Sequence, residues 1–231
     1  MKQKIHSIAF GIRFRPNFKI EDELGSVIDE ILYESKSKVF SPKNFPYTRN
    51  GINEKILINN ETGNYLLINN SNIILEIKEN MDISYDDIAR YFEKDILEIV
   101  LKKRKVTAIN RIGYLRRLYV KESSITQELI KKSINITEKE LLDFNINFSI
   151  KKPILEAIAK KGINDFYTII NNIAKEPGKS NFILSIDVQR NFEPLVERYD
   201  QLKFAKFIVE ATKEISEITE RYTNSEVTEN G

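Results

Sequence analysis

The sequence predicts an α+β fold: largely antiparallel sheet with packed helices and a long amphipathic helix at the C-terminus. Three observations carry that expectation. Strand-like segments come in runs rather than alternating one for one with helices, which disfavours a parallel βαβ architecture. Two segments, Ile8 to Phe14 and Phe182 to Gln189, alternate apolar and small or polar residues with a period of two. The segment from Phe204 to Tyr222 instead holds a period between three and four.

The elements follow in order. In "SIAFGIRFRP" the residues Ile8, Phe10, Ile12 and Phe14 share one face, and Ala9, Gly11, Arg13 and Arg15 share the other. That is the signature of a half-buried strand, and Pro16 ends it. "EDELGSVIDEILYES" sets Leu24, Val27, Ile28, Ile31 and Leu32 on a helical stripe. "SPKNFPYTRNG" reads as a loop from its prolines and glycine. "EKILIN", "NYLLIN" and "IILEIK" form a three-strand meander separated by turn residues. Ser84 with Asp87 caps a helix running through "DDIARYFEKDILEIVLKK". "RIGYLRRLYV" is the next strand, and the capping boxes Ser124/Gln127 and Thr137/Glu140 announce two short helices. "FNINFSIKKPI", "INDFYTIINNIA" and "FILSIDVQRNF" are strands, and a long helix is expected from about Pro194 to Tyr222. The organisation is thus an N-terminal α+β half over 1–105 and a C-terminal half over 106–222 sharing one core. A polar tail, 223–231, follows. The halves echo one another, each a meander followed by a helix, without a sequence repeat.

Composition excludes more than it selects. The chain has 231 residues, no cysteine and one histidine, His6. Thiol nucleophiles, cysteine-ligated metals, histidine metal clusters and a Ser-His-Asp triad are therefore unavailable, and no cofactor is expected. A net charge of +2 limits any polyanion footprint to a local patch. With no signal-like N-terminus and no membrane-length apolar run, the expectation is a soluble cytoplasmic protein.

Several motifs point toward chemistry. "EPGKSN" contains Gly-Lys-Ser, yet Ile173 stands where a phosphate-binding loop needs its first glycine, and a strand rather than a helix follows. A hairpin turn is the simpler reading. Glu76-x-Lys78 at the end of a strand, with Glu61 as the upstream acid, matches the way metal-dependent nucleases hold Mg²⁺, though Glu61 falls at a turn. Asp86 and Asp87 suit the first turn of a helix, and His6 starts a strand. The run Lys102, Lys103, Arg104 and Lys105, with Arg111, Arg116 and Arg117, could contact phosphates. The alternative reading covers that strand on both sides, bonds its arginines to tyrosine and carboxylate, and uses the basic run to cap the preceding helix. Phe204, Ile208, Ala211, Ile215, Ile218 and Tyr222 are spaced four, three, four, three, four, a heptad seam flanked by Lys and Glu. It suits a helix–helix interface as well as internal packing.

"IAFGIRFRPNF", "NRIGYLRRLYV" and "ILSIDVQRNFEP" with the long helix together resemble an uncharacterised, sporadically distributed family of bacterial and archaeal proteins of comparable length. The patchy distribution of that family implies mobile cassettes such as phage-defence or toxin–antitoxin operons. It carries no catalytic residues to transfer. The functional expectation is a non-catalytic binding or adaptor subunit that associates with itself or with an operon-encoded protein. Nucleic-acid binding through the local basic patch, or a divergent nuclease on Glu76 and Lys78, are the alternatives. No membrane is involved.

Overall fold

The computed structural model describes residues 5–51, 53–78, 83–121, 145–154, 162–175 and 181–223. Among these residues nine strands form one antiparallel sheet in the order β2-β3-β4-β5-β1-β6-β9-β8-β7. Strand β1 is Ile5–Phe14, β2 Tyr47–Asn50, β3 Glu54–Ile58, β4 Tyr65–Asn69 and β5 Asn72–Ile77. Strand β6 is Ile109–Lys121, β7 Asn145–Pro153, β8 Phe166–Lys175 and β9 Asn181–Val196. Helix α1, Phe18–Asp29, continues into a π-helical turn over Glu30–Glu34. Helix α2, Tyr85–Tyr91, likewise widens into π geometry over Phe92–Lys102, and α3 is Phe204–Thr223.

The two halves meet at the β1–β6 ladder in the middle of the sheet. Outward from it, β1 pairs β5, then β4, then β3, while β6 pairs β9, then β8, then β7. Each half also closes with a helix, α2 after β5 and α3 after β9. The echo that is faint in sequence is therefore a repeated pairing scheme, because it rests on backbone hydrogen bonds and on alternation rather than on residue identity. Strand β2 has no counterpart among the described residues of the second half.

Alternation assigns the faces. Ile8, Phe10, Ile12 and Phe14 are at most 2% exposed, whereas Arg13 on the other face is exposed and Gly11 half-buried. The same holds across β9, where Phe182, Leu184, Ile186 and Val188 are buried and Ile183, Ser185, Asp187 and Gln189 are half-buried. Helix α1 packs on β3 and β4, and α3 on β6 and β9, so the described helices cover the first face only. Phe10 of β1 stacks on Tyr114 of β6 at 5.0 Å and on Phe92 at 5.5 Å, with Phe204 edge-on at 6.1 Å. These four rings come from both halves and join them in one core.

The helix starts obey their caps. Asn17 accepts from Ile20 N–H at 3.2 Å, and Ser84 accepts from Asp87 N–H at 3.1 Å. Three expectations need correction. "YTRN" in the expected loop is strand β2, its exposed residues paired to β3. The final helix starts at Phe204, not near Pro194, because Leu195 and Val196 extend β9 and Val196 still pairs with Ile109. The strand "RIGYLRRLYV" is not covered on both sides: its odd residues lie on the face without described helices. The two short helices expected after β6, the "EPGKSN" turn and the tail from 224 fall outside the described residues.

Candidate functional site

The centre of the uncovered face is built by two short stretches that mirror one another. Gly11-Ile12-Arg13 on β1 runs antiparallel to Arg111-Ile112-Gly113 on β6, and the register sets Gly11 opposite Gly113, Ile12 opposite Ile112 and Arg13 opposite Arg111. The isoleucines point into the core, so the glycines and arginines share the open face. Like charges directly opposite each other in a sheet are destabilising, and this pair has no counter-charge in its own row. The row reads Asn72, Arg13, Arg111, Asn191 across four strands. The next row reads Leu67, Ile74, Gly11, Gly113, Gln189, Thr168, and the one after it Tyr65, Glu76, Ala9, Leu115, Asp187, Ile170.

Small residues leave room at the middle. A Cβ added to Gly11 would meet nothing within 4 Å, and one added to Gly113 would make ordinary contacts with Asp187 Oδ1 and Gln189 Cγ at 3.6 Å and the Val188 carbonyl oxygen at 3.9 Å. A shallow cleft of about 160 Å³ lies there, between the apolar side chains of Ile74 and Leu115 and the polar ends of Arg13, Asn72, Arg111, Asp187 and Gln189. Neither glycine has a positive φ, so open space and not backbone conformation is what distinguishes them. Arg111 is aimed by Gln189, to whose Oε1 its Nη1 donates at 3.0 Å, and Gln189 in turn donates to Asp187. Burial pushes the Asp187 carboxyl above its ordinary range, against the Gln189 hydrogen bond and the fields of Arg111 and Arg117. Arg13 is exposed.

The arginines singled out in the sequence divide by face. Arg117 is on the open face but is occupied: its Nη1 donates to Glu76 Oε1 at 2.6 Å and to Ser7 Oγ at 2.9 Å. Ser7 reaches it beside a register shift between Ile5 and Ser7, and a second shift, between Arg13 and Phe14, leaves Asn110 of β6 as the extra residue next to Arg111. Arg116 points to the helix side, stacks on the Tyr114 ring at 5.4 Å and donates to its hydroxyl at 2.7 Å. The basic run lies on the helix side as well. Lys102 approaches Glu98 at 3.8 Å, Lys103 pairs with Glu30, and Arg104 reaches Glu30 at 3.2 Å, Glu23 at 3.1 Å and the Ile99 carbonyl at 2.8 Å. Lys105 is exposed. That run is a clasp between α1 and the end of α2, so it does not join Arg111 in a phosphate-binding patch.

The nuclease constellation is not assembled. Glu76 is 8% exposed and held by Arg117, and burial, helped by the Glu76 carboxylate, pushes the neighbouring Tyr65 hydroxyl up to about 12. Glu61 lies in the β3–β4 turn, where Asn59 Oδ1 accepts from its backbone N–H. The Lys78 side chain lies over Gly63, and its backbone N–H donates to Asn64. Among the described residues no three acidic, histidine or cysteine side chains are grouped to hold a metal.

The heptad seam is internal. Phe204, Ala211, Ile215 and Ile218 are at most 7% exposed within one chain, and Ile208 and Tyr222 pack half-buried against the same core. Phe207, fully buried, widens the stripe to the breadth a helix needs when it crosses a sheet. The expectation of a partner helix on these six residues is therefore corrected: the sheet of the same chain occupies them.

Arg13, Asn72, Asp187 and Gln189 were not singled out in the sequence. The signal that could have found Arg13 is the inverted pair "GIR" and "RIG", which only an antiparallel register brings face to face.

No family model matches the chain, and no curated protein matches it. Among solved structures, Methanococcus jannaschii TBP aligns over 93% of this chain and 99% of its own, at 12% identity and a TM-score of 0.28. That score is too low for any conclusion to be drawn from it. Among the described residues no helix is long and apolar enough to cross a membrane.

Proposed function

We propose that the protein is a non-catalytic nucleic-acid-binding subunit that holds a phosphate backbone on the open face of its sheet. The observation that carries this reading is the Arg13–Arg111 pair, set side by side next to two glycines on the face that no described helix covers. Asp187 already lends Arg111 a counter-charge by way of Gln189, but no carboxylate pairs with Arg13 among the described residues, and an anionic chain between the two arginines would neutralise both. The surroundings suit the rest of a nucleotide. Ile74 and Leu115 offer apolar contact at the cleft, and the amides of Asn72, Gln189 and Asn191 lie beside it, each already bonded within the fold. Such a subunit would suit a mobile defence or toxin–antitoxin cassette of the kind the family resemblance implies, with a partner protein supplying any chemistry.

Fluorescence anisotropy with labelled DNA and RNA, as duplexes and single strands, tests it. Wild type should bind with strong salt dependence. Arg13→Ala with Arg111→Ala should weaken binding at least tenfold and lower the log–log salt slope by roughly 1.4–1.8, since each phosphate contact contributes about 0.7–0.9. Gly11→Val is the sharper variant. Nothing lies within 4 Å of its new Cβ, and Gly in a strand interior costs roughly 0.5–1 kcal/mol relative to Ala, so melting should hold or rise while binding falls. Wild type that shows no salt-dependent binding, or a double variant that binds undiminished, would overturn the proposal.

A further inference from the structure

The two edges of the sheet are unequal. Strand β2 is four residues long and carries Arg49, a short charged edge of the kind that resists strand addition. Strand β7 is nine residues long, and eight of the nine are exposed. Its one neighbour among the described residues is β8, and exposure on this scale is that of an edge rather than of a strand flanked on both sides. Ile146, Phe148 and Ile150 share its helix-side face, with Phe148 37% and Ile150 50% exposed. An extended edge bearing a wet aromatic and a wet isoleucine needs a cover.

We infer that β7 is a self-association edge, paired antiparallel with β7 of a second copy about a two-fold axis at Phe148. The charges on the strand select that occupant and register. Lys151 and Lys152 are the only ionisable side chains on β7, and Pro153 follows them. Pairing Phe148 with Phe148 of the copy sets Ile146 against Ile150 and Lys151 against Asn145, so no lysine faces a lysine. Aromatic and β-branched cross-strand pairs form on the helix side. Lys152, tied to Glu214 at 2.6 Å, and Pro153, which has no N–H to give, fall outside the ladder. The contact is isologous and closes after two copies. Joining β7 to β2 of a neighbour would instead run head to tail without closure. The resulting sheet would be continuous across two copies, with both open faces on one side. This inference stands on the edge and not on the arginine pair, and either can fail alone.

Sedimentation of the full chain over a concentration series, without nucleic acid, is the test. Wild type is expected to pass from monomer to dimer as concentration rises. Phe148→Lys should stay monomeric throughout with an unchanged melting curve, because the side chain is already part exposed. The chain has no cysteine, so Phe148→Cys gives a single reactive thiol. Oxidation should yield a covalent dimer, since residues opposite one another in an antiparallel pair lie within disulfide reach, whereas Arg49→Cys on the other edge should not. A wild-type chain that is monomeric at every concentration overturns the inference. So does a Phe148→Lys dimer as stable as wild type, which would locate self-association on another surface.

Discussion

Replacing Ile215 decides whether the seam of α3 is core or interface. Ile215 is 1% exposed, flanked by Ala211 at 0% and Ile218 at 7%, and its helix lies on β6 and β9. Truncation to alanine should cost about 2–5 kcal/mol from lost burial and the cavity left behind. For a chain of this size, ~3 kcal/mol corresponds to a melting temperature lower by roughly 6–12 °C. Ile215→Asp adds the cost of an unpaired buried carboxylate, several kcal/mol more, which consumes most of a typical stability of about 5–15 kcal/mol. Circular dichroism melts and urea titrations on both variants supply the measurement. Val209→Asp is the control, since Val209 is 71% exposed on the same helix and its change should stay within about 0.5 kcal/mol. An Ile215→Asp chain that melts like wild type and merely loses an association would refute the packing and restore the partner-helix reading.

Two further outcomes follow from the open face. Glu76→Gln should lower stability by about 1–3 kcal/mol, read in a urea titration, because Arg117 and Tyr65 both lose their carboxylate partner; metal-dependent nuclease activity lost with no change in stability would instead revive the catalytic reading of Glu76. Asp187→Asn should stabilise the protein at neutral pH. Burial raises the folded-state pKa of Asp187 above its unfolded value, so its ionisation opposes folding as pH rises from the ordinary carboxylate range through the folded pKa. The advantage of the asparagine variant should therefore shrink on acidification through that window, as followed by melts from neutral pH downward, and a constant difference at all pH values would contradict it.

Sequence alone determined which residues are inside and what local geometry they take. The period-two pattern of β1 and β9 named Phe10, Ile12, Leu184 and Ile186 as core, and Ser84 announced the start of α2, because alternation and capping are local consequences of strand and helix geometry. The long amphipathic helix was equally plain, apart from a start misplaced by the extension of β9 to Val196. What covers each stripe was a different matter. The spacing of Phe204 through Tyr222 is the same whether a sheet or a second helix fills it, and only the packing of α3 on β6 and β9 decided for the sheet. The candidate site was out of reach for a related reason. Arg13 and Arg111 are 98 positions apart and become neighbours only through the register of β1 on β6, while Arg116 and Arg117, adjacent in the chain, end on opposite faces. A strand shows its own two faces in sequence, but which strand lies beside it, and which face stays uncovered, is settled by hydrogen bonds and packing between distant segments.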